Sequence, residues 1–150
     1  MRLWHHKLLP YLPDKQLRGQ LRELVAIMHD WRDKGRTNHM LINRVMEYPR
    51  DDLYTYFLIY AGAYEQRFGK PVSDKLRKEF YDFAMVGRDA PPPLVYNPFF
   101  GWHDKQYLRI CMANLVEKST YAMGKNAISP ADLARLYNGY KQITGEDYWL

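Results

Sequence analysis

The sequence predicts an all-α fold: a single compact domain of about five or six helices with a proline-rich aromatic loop. Apolar residues recur at helical spacing in six segments, and a capping residue, a glycine or a proline bounds each of them. No segment makes a convincing β-hairpin. The 150 residues contain no repeat, low-complexity segment or linker, so we expect one domain over residues 1–150.

The first helix is predicted over about Lys15–Asp30, directly after the start signal Pro13-Asp14. Apolar residues share one of its faces at helical spacing: Leu17, Leu21, Leu24, Val25 and Met28. A basic loop over residues 33–37 follows this helix. Asn38 is predicted to cap a short second helix that ends at Pro49.

Asp51 or Asp52 is predicted to begin a third helix, which ends at Gly69. Its core residues at helical spacing are Leu53, Phe57, Tyr60, Ala61 and Tyr64. Alternating residues in the same segment also fit a strand, but the length of the segment favours a helix. Ser73 is predicted to cap a fourth helix, which Gly87 stops.

Residues 89–103 contain four prolines, which remove backbone donors, so an ordered loop is predicted there. Its aromatic residues either anchor the loop to the core or stack on bases: Tyr96, Phe99, Phe100 and Trp102. A fifth helix is predicted over about Asp104–Met123, with Gly124 as its stop. Ser129 is predicted to cap a sixth helix, with Pro130 in its first turn.

The composition narrows the class of protein. Lysine and arginine number 22 against 17 aspartate and glutamate residues, and the formal net charge of +5 favours a polyanionic partner such as nucleic acid. The single cysteine, Cys111, cannot form an intrachain disulfide or a cysteine-based zinc site, so a reducing compartment is expected. No apolar run approaches the roughly 18 residues typical of a membrane span.

The amino terminus carries a pattern that suits nucleophilic chemistry on DNA. The α-amine of Met1 has a reference pKa of roughly 7.7 to 8.0, so an appreciable fraction is the free base near neutral pH. Basic neighbours such as Arg2 increase that fraction. Glu23 lies about 100° around the first helix from Arg22, at the edge between its apolar and basic faces. Glu23 is either a solvated carboxylate paired with a neighbouring base, or a group that stabilises a developing cation and moves a proton.

The five histidines show no paired spacing that holds zinc, and the adjacent His5 and His6 are expected to point apart. An alternative function is a phosphodiesterase that uses His5, His6 and His103 on a metal. Arginines concentrate in the first third of the chain, where they either track phosphates or belong to a mixed solvated surface.

Two segments of the first helix resemble the pyrimidine-dimer DNA glycosylase family, the endonuclease V enzymes of phages and algal viruses: Leu12-Pro13-Asp14-Lys15-Gln16-Leu17 and Leu21-Arg22-Glu23-Leu24. Other segments are similar to a bacterial branch of that family: Met1-Arg2-Leu3-Trp4-His5, Asn38-His39-Met40-Leu41, Glu47-Tyr48-Pro49 and Asp104-Lys105-Gln106-Tyr107-Leu108-Arg109. The resemblance covers roughly half of the chain.

The resemblance implies a mainly helical, metal-free enzyme. Its terminal amine attacks C1′ of a damaged nucleotide and expels the base to leave an imine, and β-elimination then cuts the strand. Glu23 matches the glutamate needed in both steps, and Arg2 and Arg22 match residues that hold phosphate. The viral enzymes lose their initiator methionine and use the amine of the threonine behind it. Here the bulky Arg2 is expected to retain Met1, whose own amine becomes the nucleophile. Two family residues, a histidine and an arginine, are replaced by Gln16 and Ala26.

We therefore expect a DNA repair glycosylase with AP lyase activity on pyrimidine dimers or a related lesion. The predicted catalytic residues are Met1 and Glu23, with no cofactor and no metal. The predicted DNA-binding residues are Arg2, Arg18, Arg22, Arg36, His39 and Lys105. The expected partner is double-stranded damaged DNA, bound by a cytoplasmic, nucleoid-associated monomer. The alternative is a non-catalytic helical module of the same fold that binds nucleic acid or protein.

Overall fold

The computed structural model describes residues 2–40, 42–121 and 127–149, and these residues form helices and loops without a strand. The described α-helices are α1 Asp14–Lys34, α2 Arg50–Phe68, α3 Asp74–Met85, α4 Lys105–Tyr121 and α5 Pro130–Thr144. Two 3₁₀ helices, His6–Tyr11 and Ile42–Glu47, precede α1 and α2. The prediction of an all-α fold is confirmed.

Local capping chemistry places several helix ends where the sequence predicts them. The Ser73 hydroxyl accepts the Leu76 N–H at the start of α3, and the Ser129 hydroxyl accepts the Asp132 N–H at the start of α5. Gly69 ends α2 with φ at 72°, a left-handed conformation that favours glycine. The predicted end of the fifth helix, at Met123 and Gly124, lies outside the described residues.

Two predicted boundaries are wrong by a few residues. Helix α1 continues to Lys34, four residues beyond the predicted end at Asp30. The ring of Trp31 in its last turn packs edge-on against Phe83 of α3, at 5.3 Å between centroids, and this contact stabilises the added turn. Helix α2 begins at Arg50, just ahead of the predicted aspartates, because the extended Pro49 before it occupies the capping position.

The region before α2 differs more from the prediction. The second helix is a 3₁₀ helix, and Asn38 does not cap it. Instead the side chain of Asn43 closes the loop, because its Oδ1 accepts the Thr37 N–H at 2.6 Å. The amino-terminal 3₁₀ helix was not predicted at all. His5 caps it by accepting the Lys7 N–H, which is a local signal that a histidine gives too rarely to be recognised.

The residues before α1 run through the core rather than over the surface. Leu3, Leu8, Leu9 and Leu12 are fully buried, in one cluster with apolar side chains from all five α-helices. Within that cluster Phe57 of α2 stacks on a phenylalanine of α3 at 4.0 Å between ring centroids. The amino-terminal segment is therefore fixed by packing from several sides. Among the described helices, none is long and apolar enough to cross a membrane.

The proline-rich loop is anchored by half of its aromatic residues. Phe99 and Trp102 are buried, and the Phe99 N–H donates to the Asp52 carboxylate at 2.8 Å. Tyr96 and Phe100 are exposed. The loop thus joins the start of α2 to the start of α4, and two of its four aromatic side chains face solvent.

Candidate active site between helices α1 and α4

The Glu23 carboxylate is held against the amino-terminal segment. Its Oε2 accepts the backbone N–H of Arg2 at 3.0 Å and a side-chain N–H of Gln20 at 3.2 Å. Glu23 is half-buried on α1, which confirms its predicted position at the edge of the apolar face. The carboxylate therefore has a fixed place beside the first peptide group of the chain.

Three helices bind three successive carbonyls of that segment. The Gln20 amide of α1 donates to the Arg2 carbonyl at 2.9 Å. The Tyr107 hydroxyl of α4 donates to the Leu3 carbonyl at 2.6 Å, and the Tyr56 hydroxyl of α2 donates to the Trp4 carbonyl at 2.6 Å. Buried backbone groups need such partners, and here side chains supply them. The segment is consequently fixed in direction as well as in position.

Glu23 lines a cleft of about 700 Å³ between α1 and α4. The residues that line it come from the amino-terminal segment, from α1 and from α4: Arg2, Trp4, Lys15, Gln16, Gly19, Gln20, Glu23, Asn114, Glu117 and Lys118. Three of them are cationic. A cleft with several cations around one fixed carboxylate can hold a phosphate backbone while the carboxylate acts on the sugar.

The structure brings Arg2 and Glu23 together and separates other predicted residues from them. Arg22 is exposed on α1 but does not line the cleft. Arg18 packs its guanidinium 4.3 Å from the ring centroid of Phe68, at the end of α2. Met1, the predicted nucleophile, lies outside the described residues.

The remaining predicted DNA-binding residues lie away from the cleft. Arg36 and His39 are exposed in the loop after α1. Lys105 pairs with Glu146 at 2.8 Å at the start of α4. Lys118 lines the cleft from the same helix, thirteen residues or about 20 Å further along its axis. Lys105 therefore faces a different part of the surface.

Sequence reasoning missed Gln20 and the α4 side of the cleft. Gln20 precedes Glu23 by three residues, so the two share a helix face, and this spacing could have identified it. Gln16, one turn earlier, also lines the cleft, and its Oε1 is buried without a hydrogen-bond partner among the described residues. Asn114 and Lys118 gave no such signal, because periodicity within α4 does not reveal which helix it packs against.

The expectation that His5 and His6 point apart is wrong. Their rings lie 4.8 Å apart between centroids, with an interplanar angle of 20°, because His103 folds onto both from the loop before α4. All three side chains are buried. Burial lowers the pKa of His5 to about 4 and that of His6 to about 3, and it lowers the pKa of His103 as well. The three imidazoles are therefore neutral near pH 7.

This histidine cluster (His5, His6 and His103) is the group that could offer ligands to a metal in the described part of the chain. Two of its ring nitrogens already accept backbone N–H groups: His5 Nδ1 from Lys7 and His103 Nδ1 from His6, each at 3.1 Å. The ligand atoms spread over 4.8 Å, whereas two nitrogens on one zinc ion lie at most about 4.2 Å apart. In this geometry the cluster braces the amino-terminal segment against α4.

The lone cysteine is not an alternative nucleophile. Cys111 of α4 is fully buried, and this burial raises the pKa of its thiol to about 11. A thiol with such a pKa stays protonated near neutral pH and is unreactive.

The profile of the pyrimidine dimer DNA glycosylase family matches residues 1–75, which is half of the chain. No curated protein and no solved structure matches the chain. The matched half contains Arg2, Gln20 and Glu23, whereas the α4 side of the cleft lies beyond it. Because this profile covers half of the chain, the chain belongs to the pyrimidine dimer DNA glycosylase family.

Proposed function

We propose that the protein is a pyrimidine dimer DNA glycosylase with AP lyase activity, and that the α-amine of Met1 is its nucleophile. Membership in the family supports damaged DNA as the partner. The observation that carries the imine mechanism is the 3.0 Å hydrogen bond from the Arg2 N–H to the Glu23 carboxylate. A terminal amine and a carboxylate are the two groups that this reaction needs.

Covalent structure limits how far the amine can be from Glu23. The Met1 amine is separated from the Arg2 nitrogen by three bonds, and one residue spans at most about 3.6 Å. The Arg2 nitrogen is itself 3.0 Å from Glu23 Oε2. A sugar carbon bonded to the amine is then within reach of the carboxylate, so both groups can act on one nucleotide.

The proposed chemistry proceeds in two steps. The free-base amine attacks C1′ of the damaged nucleotide, and the glycosidic bond breaks with its electron pair leaving on the base, which takes up a proton. The attached amine loses one proton, and the C1′–O4′ bond of the sugar ring then breaks with its electron pair on O4′, which takes up a proton, so that a protonated imine is left. Glu23 stabilises this cation and then removes a proton from C2′, so that the 3′ phosphate leaves by β-elimination.

Phosphate binding is proposed for the cations that line the cleft. Arg2 and Lys118, which line the cleft together with Glu23, are proposed to hold the backbone. Arg22 and the loop residues Arg36 and His39 are proposed as contacts outside the cleft, on flanking duplex. Arg18 and Lys105 are the weakest of the predicted contacts, because one packs on an aromatic ring and the other is ion-paired.

Borohydride trapping tests this proposal. Two duplexes are compared, one with a single cyclobutane dimer and one with a single abasic site. The wild type is expected to form a covalent adduct on both, and Glu23→Gln is expected to lose it. Glu117→Gln, which removes another carboxylate of the same cleft, is the matched control and is expected to retain trapping.

Three outcomes are informative. Trapping only at the abasic site would retain the lyase and refute the dimer as substrate. Trapping that survives Glu23→Gln would refute the role of the carboxylate in forming the imine. No trapping on either duplex, with salt-sensitive DNA binding intact, would refute the enzyme and favour the non-catalytic binding module.

A further inference from the structure

We infer that Gln20 is a positioning residue that fixes the terminal amine relative to Glu23. This inference rests on the proposed function. Gln20 is only 1% exposed, and its amide contacts both partners of the reaction: the main chain of the amino-terminal segment and the Glu23 carboxylate.

The hydrogen bonds of Gln20 use both of its donors. Its Nε2 donates one proton to the Arg2 carbonyl at 2.9 Å and the other to Glu23 Oε2 at 3.2 Å. Its Oε1 accepts the Trp4 N–H at 2.8 Å and lies 3.0 Å from the Tyr56 hydroxyl, whose single proton goes to the Trp4 carbonyl. Of the two donors and two lone pairs of the amide, both donors and one lone pair are therefore occupied. The orientation of the Gln20 amide is thereby determined.

Gln20 binds the segment at two points that flank Leu3. One point is the Arg2 carbonyl and the other is the Trp4 N–H, so the side chain aligns the backbone of both residues along α1. The direction in which residue 1 leaves Arg2 depends on this alignment. The same amide fixes Glu23 Oε2, so one side chain sets the relative placement of nucleophile and carboxylate.

Other interactions already hold the segment in the fold. The Tyr107 and Tyr56 hydroxyls donate to the Leu3 and Trp4 carbonyls. The Leu3 and Trp4 side chains are themselves buried. Loss of Gln20 therefore leaves the segment attached, and the direct bond from the Arg2 N–H to Glu23 loses the side chain that supports both of its partners. This separates a positioning role from a merely structural one.

The test compares single-turnover rates of borohydride-trapped adduct formation on the abasic duplex, using the full chain with an untagged amino terminus. Gln20→Leu is expected to lower the rate about 100-fold, because a misplacement of about 1 Å near the reacting atoms has that effect, while DNA affinity changes by less than about threefold. Tyr60→Phe is the matched control. It removes a buried hydroxyl hydrogen bond, to the Leu17 carbonyl of α1, that touches neither the amino-terminal segment nor Glu23, so it should lower the melting temperature and keep the rate within about threefold of wild type.

The pH dependence of the rate in Gln20→Glu distinguishes a positioning role from a purely structural one. The new carboxylate places a negative oxygen beside Glu23 and the Arg2 carbonyl, where Nε2 donates in the wild type. Its rate relative to wild type is expected to be lowest at alkaline pH and to recover as the pH falls, because protonation restores an O–H donor. Gln20→Leu should show no such recovery.

Hydrogen exchange of the amino-terminal peptide tests the geometry without activity. Gln20→Leu is expected to speed exchange of the Trp4 and Arg2 amides, while the amides of α2 remain protected. Equal exchange in wild type and Gln20→Leu, or an equal loss of rate in Gln20→Leu and Tyr60→Phe, would overturn the inference. A wild type that forms no adduct would instead refute the proposed function, and the positioning role would be overturned with it. Faster exchange in Gln20→Leu would then show only that Gln20 holds the amino-terminal segment in the fold.

Discussion

Acidification is expected to destabilise the fold through the histidine cluster. His5 titrates near 6.5 in an unfolded chain, and burial lowers its pKa to about 4 in the folded protein. Folded protein therefore binds fewer protons than unfolded protein between these values. The free energy of unfolding is highest above pH 6.5, and it falls as the pH drops toward 4.

The magnitude follows from the two titrations. At pH 5 an unfolded histidine is almost fully protonated, whereas His5, with its pKa near 4, is mostly neutral when folded. This difference lowers the free energy of unfolding by about 2 kcal/mol. His6, whose pKa is about 3 in the folded state, contributes about 2 kcal/mol more, and His103 acts in the same direction. Their sum is a large part of the 5 to 15 kcal/mol that is typical of a folded domain.

Urea unfolding followed by tryptophan fluorescence at pH 7 and at pH 5 measures this effect. His6→Gln removes one of the buried titrating groups, so the pH dependence should become shallower by about 1.4 kcal/mol per pH unit below pH 6.5. Any stability that the His6→Gln substitution itself removes at pH 7 does not change that slope. His39→Gln, an exposed control, should leave it unchanged. A free energy of unfolding that is equal at pH 5 and pH 7 would refute the reasoning, as would an unchanged slope in His6→Gln.

Further predictions concern packing, DNA binding and metal dependence. Gly139→Ala would place a Cβ 2.3 Å from the ring of Tyr11, so thermal unfolding should show a loss of about 1 to 3 kcal/mol. Gly62→Ala, with no atom near its Cβ, should gain up to about 1 kcal/mol, and equal effects at both sites would contradict the packing. Lys118→Ala should weaken duplex binding and reduce the slope of log K against log salt by about 0.9, whereas an unchanged slope would remove it from the interface. Strand cleavage should be unaffected by a chelator. Loss of cleavage with chelator and its recovery with zinc would favour the metal-dependent phosphodiesterase.

Local signals accounted for much of the fold. The capping serines Ser73 and Ser129 and the stop at Gly69 fix helix ends through contacts within a few residues, so they can be read from the chain. The position of Glu23 at the edge of an apolar face follows in the same way from the periodicity of α1. Such features depend on neighbours in sequence and need no knowledge of tertiary packing.

The remainder of the site depends on contacts between distant segments. His6 meets a histidine 97 residues away, and Tyr107 binds a carbonyl 104 residues away. The α4 side of the cleft is formed by the docking of that helix across α1, which periodicity does not specify. The position of the Arg18 side chain could not be predicted from the sequence either. Arg18 shares a helix face with Arg22, but its guanidinium packs on the Phe68 ring and does not line the cleft.

The central claim is that a terminal amine beside Glu23 performs the chemistry, and the attachment site of the trapped sugar tests it most directly. After borohydride reduction on the abasic duplex, the adduct is digested with nuclease and protease, and mass spectrometry locates the modified residue. The account predicts modification of the α-amine of Met1, in the amino-terminal peptide. Modification of a lysine side chain such as Lys118, which lines the same cleft, would contradict it.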